Sequence, residues 1–108
     1  MTYTIILAPE AVEDLQRLKA HIRSTVRAAM LTHLRDEPAR VSKSRIKRLR
    51  GIRRPQYRLR VDEIRIFYDI CDLDVEVLAI IDKSEADAWL DQFGEAEEVA
   101  PDETDPAL

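Results

Sequence analysis

Hydrophobic positions along the chain fall into blocks of different period. Tyr3 to Leu7 is a β-branched and aromatic run closed by Ala8-Pro9, and proline suits the first turn of a helix, where its missing N–H would have no partner. The pattern predicts a strand that hands over to a helix. Val12, Leu15, Leu18, Ile22, Val26, Ala29 or Met30, and Leu34 then recur every three or four residues, with Glu10, Glu13 and Asp14 at the amino-terminal end. A single helix from Pro9 to Arg35 would be about 40 Å long at 1.5 Å per residue. A domain of this size has an expected radius of gyration of about 13 Å, so a helical hairpin is expected, broken around Ala20 to Ser24.

Asp36-Glu37-Pro38 ends the second helix, and the basic, poorly periodic stretch from Ala39 to Gln56 reads as a loop with Gly51 and Pro55 as breakers. Alternation of period two takes over in Tyr57 to Val61, Ile64 to Ile70 and Val75 to Ile81, separated by Asp62-Glu63 and Asp72-Leu73-Asp74. These are spacings of an antiparallel meander. Ser84 is expected to open and cap a last helix, with Glu85 and Asp87 in its first turn. Its Ala86, Trp89, Leu90 and Phe93 face the sheet, and Gly94 ends it. The fold class is α+β: a small antiparallel-meander sheet of about four strands against an N-terminal helical hairpin, with a short C-terminal helix. Residues 1–93 form one domain, and 94–108 read as an acidic disordered tail.

Composition narrows this picture. The single cysteine, Cys71, excludes an intrachain disulfide or a thiolate metal site and suits a reducing compartment. No apolar stretch approaches the ~20 residues that span a bilayer, and the amino terminus lacks signal-peptide features. A cytoplasmic chain with no membrane role is expected. Charge changes more. A net charge of -4 and a pI near 5.2 argue against nucleic acid, yet eleven of the seventeen basic residues lie between Arg40 and Arg65, where Asp62 and Glu63 are the only acids. Seven acidic residues and no basic ones follow Leu90, so residues 1–90 carry a net charge of +3.

Strand alternation places Tyr57, Leu59 and Val61 on one face and Arg58 and Arg60 on the other. With Asp62-Glu63 as a two-residue turn, Val61 pairs with Ile64, Arg60 with Arg65 and Arg58 with Phe67, and three guanidinium groups converge. A longer turn would undo that register. Like charges opposite one another cost stability, so the arginines either splay into water or hold an anion. Every basic residue from Arg48 to Arg65 is arginine, whose planar donor fork suits phosphate oxygens. Arg48, Arg50, Arg53 and Arg54 extend the band as candidate contacts to a phosphate backbone, which the resemblance below makes RNA. Trp89 either stacks on a base or packs the last helix on the sheet, and His21 and His33 read as structural, away from the arginine face.

The run Arg48-Leu49-Arg50-Gly51, followed by Tyr57-Arg58-Leu59-Arg60-Val61 and Ile64-Arg65-Ile66-Phe67-Tyr68, resembles the RelE/ParE superfamily of bacterial type II toxins over roughly residues 3–90. The resemblance implies a RelE-like fold and a toxin. In the RelE-like branch the implied activity is a ribosome-dependent mRNA endoribonuclease, which helps a 2′-hydroxyl attack the adjacent phosphate. By resemblance Arg58 and Arg60 match the family's basic phosphate-contacting pair, and Arg65 the arginine of the next strand that stabilises transition-state charge. Lys83 falls near a basic residue that ends the last strand, and Trp89 near a catalytic tyrosine. No metal or other cofactor is expected, because the arginines supply the cationic charge. Implied partners are a cognate antitoxin, with which the toxin forms a hetero-oligomer, and the ribosome and mRNA. The superfamily leaves two alternatives: a ParE-type toxin acting on DNA gyrase, and an inactive member that only binds its antitoxin.

Overall fold

The computed structural model describes residues 2–97. Strand β1 (Thr4–Leu7) leads through Ala8 into helix α1 (Pro9–Arg17), with Pro9 in the first helical turn. Helix α2 (Ala20–Leu34) follows after a break at Leu18 and Lys19, earlier than the spacing predicts. Both break residues adopt extended backbone (φ -70°, ψ 147° and φ -59°, ψ 148°), which any L-residue adopts, so the hairpin needs neither Gly nor Pro. Leu18 closes α1 by donating its N–H to the Leu15 carbonyl (3.2 Å), and the Lys19 carbonyl accepts from Arg23 to start α2 (2.9 Å).

The stretch read as a loop contains two short strands, β2 (Ile46–Arg48) and β3 (Ile52–Arg54). Three residues, one of them apolar, give no periodic signal; β2 exists because it pairs with β4 (Tyr57–Val61) and sends Ile46 into the core beside Leu59. The meander continues with β5 (Ile64–Cys71) and β6 (Asp74–Asp82). Helix α3 (Lys83–Phe93) starts one residue before Ser84. Its cap is Asp82, whose carboxylate accepts from the Ser84 N–H at 2.9 Å, and Gly94 ends it as expected.

Beyond Gly94, β7 (Glu95–Ala96) pairs with β3, so the first residues of the expected tail belong to the fold; residues 98–108 lie outside the described residues. The main sheet has the order β1-β6-β5-β4-β2, with β1 parallel to β6 and the other pairs antiparallel. It therefore has one strand more than the four expected, plus the separate β3-β7 pair.

One face of the sheet packs Leu59, Val61, Ile64, Ile66, Tyr68, Val75, Val77 and Ile80 against Ala11 and Leu15 of α1 and Val26, Met30 and Leu34 of α2. Tyr68 stacks on Tyr57 (centroids 5.5 Å apart) and donates its buried hydroxyl to the Pro38 carbonyl at 2.6 Å, which fixes the chain leaving α2. Beyond the end of β1, the edge of β6 is capped by α1: the Ile80 N–H donates to Asp14 Oδ2 at 3.0 Å. On the other face, α3 covers only the centre of the sheet, where Phe67 stacks on Trp89. Charged side chains predominate on the rest of that face, with Ile6 exposed among them.

Candidate nucleic-acid interface

The arginine face depends on one turn. Val61 pairs with Ile64 across Asp62-Glu63, and Asp62 alone takes a left-handed backbone (φ 51°), a region aspartate tolerates better than most residues. A type I′ turn would require positive φ at Glu63 as well. The register is the predicted one: Arg60 lies opposite Arg65, and Arg58 opposite Phe67. The pairing of β2 adds a cation that the sequence reading missed, because Lys47 lies opposite Arg58 and shares its face. Alternation of Ile46 and Lys47 against Leu59 and Arg58 is the signal for it, legible only once Ile46 is known to be paired.

Arg58 is the centre of the cluster. Burial, then the charge of Arg65, then that of Arg60 push its pKa below the usual arginine value, and its buried Nε has no hydrogen-bond partner among the described residues. A polar atom held dry without a partner is costly, and a cation held beside two others adds to that cost. Arg65 is anchored at one end, with Nη1 donating to the carbonyls of Asp62 (2.8 Å) and Ile64 (3.1 Å). Arg60 is exposed. The three guanidinium groups and Lys47 form an electropositive face and make no ion pair among the described residues.

The other expected site residues are arranged differently. The Lys83 ammonium lies 2.9 Å from Glu63 Oε2, and its backbone N–H donates to the Glu63 carbonyl at 2.7 Å, so it braces the turn. Trp89 lies flat on Phe67 (5.1 Å between centroids, 3° between planes) and tilts against Phe93 (5.6 Å, 40°); of the two meanings open for it, packing is what the geometry displays. Arg48 stands over the Tyr57 ring (5.2 Å) and donates to the Gln56 carbonyl at 2.7 Å, whereas Arg50 is exposed near Arg58 and Arg60.

Arg53 and Arg54 do not join the cluster. Arg53 pairs with Glu95, and Arg54 reaches Glu76 (2.7 Å), Asp69 (3.4 Å) and Glu95 (3.9 Å). Asp69 also accepts from the Gln56 N–H (2.7 Å), while the Gln56 side-chain oxygen accepts from Ile70 N–H (2.9 Å). Burial nevertheless raises the Asp69 pKa above its ordinary 3.8; the Gln56 bond and Arg54 oppose the rise, and Glu76 and Glu95 add to it. The outer face of the sheet is thus cationic around Arg58 and rich in carboxylates around Asp69.

His33 Nε2 sits 3.0 Å from Arg45 Nη1, and burial, then Arg45, lower its pKa, so a neutral ring accepts from the guanidinium. His21 lines a cleft of about 350 Å³ with Asp62, Glu63 and Asp82, closer to the hairpin turn than helix spacing alone suggests. Among the described residues no cluster of three or more His, Cys, Asp or Glu side chains is placed to hold a metal ion, and no helix is long and apolar enough to cross a membrane.

Residues 5–87 match the family described as the ParE toxin of the type II toxin-antitoxin system, parDE. No curated protein sequence matches significantly. Among solved structures, the chain is similar to the toxin-antitoxin complex RelBE2 of Mycobacterium tuberculosis, at 27% identity over 76% of this chain and 99% of that one (TM-score 0.57). It is also similar in fold to the RelB-RelE complex of Methanococcus jannaschii (19% identity, 78% and 96% covered, TM-score 0.61). The RelE-RelB complex of Pyrococcus horikoshii OT3 is a third such structure (22%, 77% and 97%, TM-score 0.58). The mixed α and β fold with its arginine-bearing meander, together with the family match across most of the chain, leads to one assignment: this protein belongs to the ParE toxin family, within the RelE/ParE superfamily, and is the toxin of a type II toxin-antitoxin module.

Proposed function

We propose that this toxin is a ribosome-dependent mRNA endoribonuclease acting in the cytoplasm. The observation that carries the reading is Arg58, whose buried Nε has no partner and whose guanidinium is crowded by Arg60 and Arg65. A phosphate seated among the three guanidinium groups relieves their mutual repulsion. When the 2′-hydroxyl attacks the adjacent phosphate, negative charge grows on the non-bridging oxygens, and preorganised donors gain most at that moment. Arg58, Arg60 and Arg65 fill this role, with Arg65 steadied by the turn carbonyls. Lys83 acts through Glu63 as a brace, and the ribosomal A site positions the message. A cognate antitoxin would cover the cationic face, and an acidic helical segment suits it electrostatically.

The test is a purified translation reaction programmed with a defined mRNA. Cleavage that requires ribosomes, and that stops when the scissile nucleotide carries a 2′-deoxyribose, supports the reading. Intact message throughout would overturn it. One specific observation favours a second reading, a gyrase-directed toxin: Lys83 is held by Glu63 and Trp89 by Phe67, where nucleases of this superfamily place a basic residue and a tyrosine. Intact message with inhibited supercoiling would establish that alternative.

A further inference from the structure

The structure sorts the basic band into occupied and unoccupied side chains. Arg40 pairs with Glu37 (2.9 Å), Arg53 with Glu95, Arg54 with Glu76, and Arg45 donates to His33. Lys43, Lys47, Arg50, Arg58 and Arg60 make no ion pair among the described residues, and all five line one groove of about 630 Å³ between β2 and the loop that precedes it. No acidic and no aromatic side chain lines it.

The groove is built in advance. Ser42 Oγ accepts from the N–H groups of Arg45 (3.0 Å) and Ile46 (3.2 Å), and Ser42 N–H donates to the Ile46 carbonyl (2.9 Å), so the loop carrying Lys43 is tied to the start of β2. The Arg60 N–H in turn donates to the Arg45 carbonyl at 2.8 Å, which joins that junction to β4. The backbone that carries the cations is thus ordered before binding, and only side-chain freedom is lost. Neighbouring strands lie about 4.7–4.9 Å apart, so Lys47, opposite Arg58, extends the cationic array by one strand beyond the arginines.

We propose that the end of this groove formed by Lys43, Lys47 and Arg50 is a second phosphate subsite, which takes the backbone of the polynucleotide strand next to the phosphate held by Arg58, Arg60 and Arg65. It rests on the nucleic-acid reading above and adds the strand's path: across the sheet from β5 over β4 to β2, at right angles to the strands. The absence of aromatic lining makes the groove a contact for phosphate and ribose, while Phe67 and Trp89 lie at the other end of the path.

The experiment compares the full chain with a Lys43→Gln, Lys47→Gln double variant, following affinity against salt concentration. The probes are an oligouridylate long enough to cross the sheet and the uridine dinucleotide with its single internal phosphate. Each phosphate contact to a single strand contributes roughly 0.7 to the slope of log K against log salt. The double variant should therefore lose about 1.4 of that slope on the long strand and clearly less on the dinucleotide, whose one phosphate is held mainly by the arginines. Arg58→Gln should weaken both ligands. An unchanged slope on the long strand, or an equal loss on both ligands, overturns the subsite. Because binding is read, a parent chain that binds the long strand with the expected slope but cleaves no message sustains the subsite while refuting the nuclease. A parent that binds neither ligand refutes the subsite, and ribosome-dependent cleavage by that parent would leave the nuclease standing.

Discussion

Replacing Arg58 by methionine should make the free protein more stable and the toxin inactive. The side chain is half-buried, its Nε is dry and unpartnered, and its nearest charged influences are two further arginines. An unsatisfied buried donor costs about 1–3 kcal/mol, and each like-charge neighbour on the same sheet face adds roughly 0.2–1 kcal/mol. Methionine keeps the apolar stem that packs against the sheet and removes both penalties. Because part of the guanidinium still meets water, a net gain near the lower end, about 1–2 kcal/mol, is expected. In a domain of this size each kcal/mol moves Tm by roughly 4–8 °C. Urea unfolding at low and high salt separates the two components. The repulsive part shrinks with screening, and the part due to the dry Nε does not. Phosphate or an oligonucleotide should raise the Tm of the parent more than that of the variant, since a ligand stabilises the folded state in proportion to its affinity for it. Strand affinity should fall about 10- to 100-fold, as for loss of hydrogen bonds to a charged group. A variant that is less stable than the parent by about 1 kcal/mol or more at low salt would show that Arg58 is satisfied in the free protein and holds no strain for a phosphate to relieve.

Three further outcomes follow from the geometry. The folded state holds the Asp69 proton more tightly than the unfolded chain does, so the stability contributed by this residue declines as pH rises from its ordinary 3.8 through the raised folded value. Asp69→Asn, which still accepts from Gln56 N–H, should remove that decline, measured as the difference between the two proteins in urea unfolding across the acid range. Asp14→Ala leaves the Ile80 N–H at the β6 edge without its acceptor and should cost about 1–3 kcal/mol; Asp14→Asn should recover most of it in the same unfolding assay. Trp89→Phe keeps an aromatic plane on Phe67 and should retain growth inhibition, whereas Trp89→Ala forfeits a pair worth about 0.5–1.5 kcal/mol beyond its buried area. Strong loss of toxicity in a folded Trp89→Phe variant would assign the indole to the message instead.

What the sequence made legible was what local periodicity encodes. The β4-β5 register follows from alternation and a two-residue turn, so the sequence alone brings Arg58, Arg60 and Arg65 together. What it hid was set by partners distant in the chain. Strand β2 is three residues recruited by β4, and Lys47 joins the site only through that pairing. Arg53 and Arg54 look like any other arginines of the band until Glu95, Glu76 and Asp69 are folded onto them. The hairpin break was misplaced because Leu18 and Lys19 turn the chain with ordinary extended backbone, which leaves no Gly or Pro to read. Asp82 displaced Ser84 as the cap of α3 for a smaller reason: either oxygen can serve, and the strand simply runs one residue further than its apolar run.

The division of the outer sheet face into a cationic and an anionic half has a kinetic consequence. Between residues 2 and 97 there are seventeen basic and seventeen acidic side chains, so this body approaches a polyanion as a dipole and not as a cation. Such a body is turned before it is drawn in. The torque acts only within about 8 Å of the surface at physiological salt, and it favours encounters led by Arg58, with Asp69, Glu76 and Glu95 trailing. Collisions in other orientations gain nothing from electrostatics and separate again, so the fold limits idle adhesion to bulk nucleic acid while leaving one productive angle of approach.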